Sequence, residues 1–168
     1  MEIIGIKLDP SKMNNPDLDL RATNSMLDLE KLKNLMLLES LLSKDTFIVD
    51  DLDSILEERE ESIFDEQWIR NYNEINEKRD LIDFKSKELI DSIREIAYKI
   101  TYAFTESSDL AAYVSDDFGI IAEALVLNHN DEWLNTLGKK YLENKIPNGT
   151  LNPSKGELRK ILLMDSIL

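Results

Sequence analysis

The chain has no cysteine and a single histidine, His129. Without cysteine, disulfides and thiolate metal sites are both excluded, which fits a reducing compartment. A Ser-His-Asp device would have to use that one imidazole, and a zinc site would have to be built from carboxylates, so neither is expected. No apolar run approaches the roughly 18 to 20 residues that a membrane span needs. The amino terminus, MEIIGIKLD, lacks the basic start and long apolar core of a signal peptide. A soluble, cytoplasmic protein is the expectation. Positive charge is also scarce: 20 Lys and Arg against 34 Asp and Glu leave a formal net charge of −14. Such a charge repels the phosphates of nucleic acid and anionic lipid and attracts cationic partners. Neither a nucleic acid nor a membrane is expected as a partner.

What is present suits one domain, residues 1–168, because 168 residues at 42% hydrophobic content can bury one sizeable core. Ile4, Ile6 and Leu8 alternate as in a short extended segment, and Asp9 to Asn24 reads as loop because of Pro10, Pro16 and the asparagines. Asn24 or Ser25 can cap a helix carrying Leu29, Leu32, Leu35, Met36 and Leu42 that ends near Lys44. After a β-branched connector at Asp45 to Asp51, Asp50 can cap a helix whose buried stripe is Leu52, Ile55, Leu56 and Ile63, and with them Phe64. From Trp68, apolar side chains recur in steps of four and three through Tyr72, Ile75, Ile82, Leu89, Ile93, Ile96 and Ile100 to Ala103, the spacing of a coiled-coil seam. Arg79 and Ser86 fall on that seam, which leaves open one long helix or two helices broken around Asp80 to Lys87. Ser107 to Asp109 and Ser115 to Asp117 read as punctuation, with aspartates near positive helix starts. Phe118, Ile121, Ala124 and Leu125 form the next buried face. Asn130 to Gly149 reads as a helix carrying Trp133, Leu137 and Tyr141, closed by Pro147 and Gly149, and Asn152-Pro153 opens a last one with Leu158, Ile161 and Leu162. The expected fold is therefore all-α, a helical bundle with one long central helix or helix pair and at most one short extended segment.

The stretch DDLDSILEEREESIFDE, Asp50 to Glu66, is densely acidic and contains one basic residue, Arg59. Its EExxE (Glu57, Glu58, Glu61), followed by ExxD (Glu77, Asp80), resembles the magnesium motif of all-α nucleotide pyrophosphohydrolases, and that resemblance implies that these five carboxylates hold magnesium. On a helical wheel at about 100° per residue, however, Leu52, Ile55, Leu56 and Ile63 share one arc, and Glu57, Glu58, Glu61 and Asp65 cluster opposite. Carboxylates that face away from the core are poorly placed to hold a hard cation against substrate phosphates. A solvated acidic face is favoured over an enzyme, with no metal and no cofactor.

Other signals are weaker. Asp117-Phe118-Gly119 matches a kinase tripeptide, but the chain is too short for that domain and has no glycine-rich phosphate loop. Asp51-Leu52-Asp53 lacks the glycine a calcium loop requires. His129 reads as a loop or capping residue, Asn148-Gly149-Thr150 as a turn, and Trp68 and Trp133 as core or half-buried anchors. Charge is unevenly spread: no Lys or Arg lies between Lys99 and Lys139, while Glu106, Asp109, Asp116, Asp117, Glu123, Asp131 and Glu132 all do. Beyond Lys139 basic residues outnumber acids, so this segment is suited to pair with the acidic part.

Two stretches, KLDPSKMNNPDLDLR at Lys7 to Arg21 and YVSDDFGIIAEALVLNHNDEWLNTLGKKYLENKIP at Tyr113 to Pro147, resemble small immunity proteins of bacterial polymorphic toxin systems, including the contact-dependent growth inhibition type. The resemblance implies a cytoplasmic, non-enzymatic protein that binds and neutralises one cognate toxin, often a nuclease with a basic active-site face. The first expectation is thus an immunity protein that occludes its toxin's active or substrate-binding surface. Asp50, Asp53, Glu57, Glu58, Glu61 and Asp65 are the expected partner-binding residues, with Asp116 and Asp117 as a second patch. The alternatives are the pyrophosphohydrolase and an acidic chaperone or adaptor for a basic secreted protein.

Overall fold

The computed structural model describes residues 16–164, with side-chain environments from Asn24 onward. The extended segment expected at Ile4 to Leu8 lies outside the described residues. Within them all regular structure is helical: α1 Pro16–Leu37, a 3₁₀ turn Lys44–Phe47, α2 Leu52–Glu60, α3 Ser62–Asn76, a 3₁₀ turn Arg79–Leu81, α4 Phe84–Thr105, α5 Ser108–Leu127, α6 Glu132–Leu142 and a π turn Lys160–Met164. An all-α architecture is what the apolar periodicity specifies. No helix among the described residues is long and apolar enough to cross a membrane.

Side chains start most of these helices. Asp51 accepts from the Ser54 N–H, Asp83 from Ser86, Ser107 from Leu110 and Asp131 from Leu134, each satisfying an N–H that a helix start leaves without an intrahelical partner. Asp51, not Asp50, is thus the cap of α2. The first helix begins earlier than its cap candidates Asn24 and Ser25, at Pro16. Proline at the first helical position has its φ preset and lacks only an N–H that would be unpaired anyway. At the far end, Glu39 and Leu42 take φ of 61° and 56°, turning the chain so that Leu41 and Leu42 both bury.

Helix α5 is the element on which the others pack. Twelve of its 20 residues are buried, and it lies against α4, α1, α3 and the 79–81 turn. A helix apolar on nearly all sides is a core helix. Its middle contains Ser115, Asp116 and Asp117, which the sequence reading took as punctuation. The helix continues through them because Ser115 donates to the Arg94 carbonyl (2.9 Å) and Asp117 has buried partners described below. Competition with the backbone, which makes Ser and Asp helix breakers elsewhere, is removed by tertiary hydrogen bonds.

Two other phases shift. Glu61 is extended (φ −69°, ψ 146°) and is at once the end of α2 and the cap position of α3. One non-helical residue resets the wheel, so Ile63, expected in the buried stripe, is 53% exposed, while Arg59 and Phe64 turn inward. The seam from Trp68 is two helices, α3 and α4, with Ile82 buried in the turn between them. On α4 the most buried line is Ser86, Ile90, Ile93, Ala97 and Thr101, in which Ile90, Ala97 and Thr101 are each displaced by one position from Leu89, Ile96 and Ile100. Contacts with both α5 and α1 widen the buried arc beyond a single seam. The last helix opens at Leu158, later than Asn152-Pro153. Arg159 Nε there donates to both carboxylate oxygens of Asp28 of α1 (3.0 Å each), so among the described residues the basic carboxyl-terminal segment pairs with α1 and with local glutamates, not with Asp50 to Glu66.

Gly138 of α6 lets this last segment approach, since a Cβ there would stand 3.1 Å from Leu162 Cδ2 and 3.2 Å from Leu158 Cδ1. Gly138→Val should therefore destabilise the fold by about 1–3 kcal/mol through overpacking. The denaturant midpoint measures this, and an unchanged midpoint would contradict the packing described.

Candidate functional site

The one basic residue of the acidic stretch is buried. Arg59, in the last turn of α2, meets Asp117 of α5 in a bidentate pair, with Nη1 to Oδ2 at 2.9 Å and Nη2 to Oδ1 at 2.7 Å, and Nη1 also donates to the Pro147 carbonyl at 2.9 Å. Asp117 accepts two further bonds, from Trp68 Nε1 of α3 at 2.9 Å and from the Tyr141 hydroxyl of α6. Burial opposes the Arg59 charge, but the Asp117 carboxylate outweighs it and holds the guanidinium above its usual range. Burial beside the same carboxylate pushes the Tyr141 phenol well above its ordinary value. The guanidinium carbon lies 4.6 Å from the centre of the Phe64 ring and 5.0 Å from that of Tyr113.

Above this pair, α3 and α5 enclose a notch of about 150 Å³. Phe64, Trp68 and Tyr113 form its walls with Arg59, and Asp65, Ile69 and Asp116 its rim. Glu60 reaches the same place, accepting from the Tyr113 hydroxyl at 3.0 Å. Burial, then Glu60, and more weakly Asp109, one helical turn before Tyr113 on the same face of α5, raise the Tyr113 phenol. Asp116 is half-buried and pairs with Arg94 at 2.7 Å; burial raises its carboxyl despite that partner. A larger groove of about 560 Å³ adjoins the notch at Trp68 and Asp116, between α3 and α4, with Gly119 and Ile120 of α5 among its lining residues. Its guanidinium groups are matched: Arg79 pairs with Glu123 and lies 5.0 Å from the Tyr72 ring centre, and Arg94 pairs with Asp116.

The expected partner-binding residues thus separate. Asp50, Asp53, Glu57, Glu61 and Asp65 are exposed. Glu58 is half-buried, with Oε2 only 3.4 Å from where a Cβ on Gly149 would lie. Asp65 and Asp116 come together in the notch. Asp117 does not belong to the surface at all: its side chain is fully buried, which corrects its placement in a second exposed patch. Glu60 and Asp109 were missed, although Asp109, Tyr113 and Asp116 recur at the four-three spacing that puts them on one face of α5. The EExxE and ExxD carboxylates do not meet. Glu61 and Glu77 flank opposite ends of α3, about 24 Å apart along the axis at 1.5 Å per residue. Among the described residues no group of three or more His, Asp or Glu side chains is arranged to hold a metal ion.

A second polar cluster lies about one turn beyond Trp68 on α3, at Arg70 and Asn71. His129 Nε2 is 3.1 Å from Asn71 Oδ1, Asn71 Nδ2 donates to Asp131 at 3.1 Å, and Arg70 donates to Asp131 at 2.8 Å. Burial lowers the His129 imidazole, against the pull of Glu74 and Asp131.

Two measurements check these clusters. Asp117→Ala leaves an uncompensated buried guanidinium and should cost about 3–5 kcal/mol in urea unfolding. Asp116→Ala, one residue away but half-exposed, should cost no more than about 1 kcal/mol. Because folding lowers the His129 pKa, the unfolded chain binds a proton more readily. The contribution of His129 to stability is therefore full above about pH 6.5 and is lost as pH falls below that value. His129→Gln should flatten the decline in urea midpoint between about pH 7.5 and 5.5, and an unchanged slope would assign the decline to other groups.

No curated protein matches the chain. The family model of Immunity protein PIM1 matches residues 31–148. That span holds Arg59, Trp68, Asp117, Tyr141 and Pro147, the whole of the buried network, together with every residue of the notch, and it takes in well over half of the sequence: the chain belongs to the immunity protein PIM1 family.

Proposed function

We propose that the protein binds one cognate toxin in the cytoplasm and neutralises it by covering the toxin's active or substrate-binding surface, without catalysis of its own. Membership of an immunity protein family gives the class of function, and the observation that carries the mechanism is the one-sided charge of the α2–α3 surface. Asp53, Glu57, Glu60, Glu61 and Asp65 are exposed there, while Arg59, the only cation between Asp50 and Glu66, is turned into the core. Asp109 and Asp116 extend that surface across the notch onto α5. A surface so charged on a chain of net −14 fits a cationic partner such as the substrate-binding face of a nuclease.

Long-range attraction between exposed charges is screened over roughly 8 Å at physiological ionic strength. Association with the toxin domain encoded by the adjacent gene should accordingly slow as salt rises, with a smaller change in dissociation. Glu57→Lys combined with Glu61→Lys should slow association further while leaving the circular dichroism spectrum unchanged, since both side chains are exposed. Absence of a complex, or an association rate indifferent to salt and to both reversals, would remove the acidic surface from the mechanism.

A further inference from the structure

The notch between α3 and α5 differs from the rest of the acidic surface in being concave and aromatic. Its volume, about 150 Å³, is that of a single inserted side chain, not of a peptide segment. Phe64, Trp68 and Tyr113 supply rings, and Ile69, 45% exposed at the rim, supplies an apolar edge. Four carboxylates stand around it. Asp65 and Asp116 line it, Glu60 is tied to the Tyr113 hydroxyl, and Asp109 is close enough to act on the same phenol. Asp65 and Asp109 have no ion-pair partner among the described residues, and the notch's own cation, Arg59, is already neutralised by Asp117. The neighbouring groove lacks this imbalance, because its guanidinium groups Arg79 and Arg94 are already matched to Glu123 and Asp116.

We propose that this notch is the anchor pocket of the toxin interface and receives one lysine or arginine side chain of the toxin. The inference rests on the toxin-binding reading above and adds a position and a chemistry to it. The inserted cation lies against the Trp68 and Tyr113 rings, between the Asp65 and Asp116 carboxylates, and shares Asp116 with Arg94. An anchor of this kind, a desolvated pocket ringed by weaker contacts, sets the lifetime of a complex more than its rate of formation.

The experiment uses the full chain and the toxin domain encoded beside its gene, with association and dissociation rates measured separately. Glu60→Gln with Asp65→Asn removes two charges at the notch, and Asp53→Asn with Glu57→Gln removes two from the same surface outside it; all four side chains are exposed. Ile69→Trp narrows the notch without changing charge. The notch pair and Ile69→Trp should each raise the dissociation rate by about tenfold, whereas the outside pair should slow association alone. Alanine replacement of the toxin's lysines and arginines, one at a time, should find one residue whose loss is not additive with Asp65→Asn. A complex that forms normally but in which the notch pair behaves like the outside pair, or in which Ile69→Trp has no effect, overturns the pocket and leaves the toxin-binding reading standing. Failure to form any complex removes both.

Discussion

The Arg59 guanidinium and the Asp117 carboxylate meet where α2, α3, α5, α6 and the Pro147 carbonyl converge, and neither charge reaches water. Removing two such ions from solvent carries a penalty of several kcal/mol each, offset only when geometry and hydrogen bonding are nearly complete. Asp117 meets that demand with four donors from three residues, two from Arg59 and one each from Trp68 and Tyr141. The consequence is directional. Apolar contacts between helices tolerate small rotations, whereas a bidentate pair with two further donors admits one arrangement of the four helices. The break at Glu61 follows from the same constraint, because Arg59 and Phe64 both point inward only if the chain leaves the helix between them.

The pair also makes the surface what it is. A chain segment with nine carboxylates and one cation would ordinarily place both on its solvated face, where the cation weakens the field. Here the cation is withdrawn and its charge is met from α5, so the exposed side of α2 and the start of α3 carries carboxylates and no cation. Helix α5 contributes to both sides of the arrangement, through Asp117 inside and Asp116 at the rim. Two adjacent carboxylates thus serve opposite ends: one organises the core, and the other lines the notch.

About one turn beyond Trp68, α3 is secured by neutral and charged groups together. Asn71 bridges His129 and Asp131, and Asp131 in turn caps α6 and receives Arg70. With Trp68 bound to Asp117, this holds α3 at two neighbouring levels and keeps Trp68 as the shared wall of notch and groove. A rigid aromatic wall suits an interface, because little side-chain freedom remains to be lost on binding.

The helical class and the acidic character of Asp50 to Glu66 were set by local chemistry and were legible in the sequence, since periodicity and charge act between neighbours in the chain, whereas the caps Asp51, Asp83 and Asp131, equally local, were not singled out there. The exposure of Glu57 and Glu61 could be read from the helical wheel, although Glu58, placed on the same side, is half-buried. Ile63, Asp117 and Arg59 could not. Each depended on a partner about 50 or more residues away or on one extended residue at Glu61 that shifted the wheel after it. The notch was likewise invisible, because Asp65 belongs to α3 and Tyr113 and Asp116 to α5, two helices brought together by tertiary contacts such as the Trp68–Asp117 bond. Sequence determined which segments are helices and that their outer faces are acidic. Tertiary structure determined which acid is inside, because burying a charge is favourable only where a distant segment delivers its counter-ion and the remaining donors.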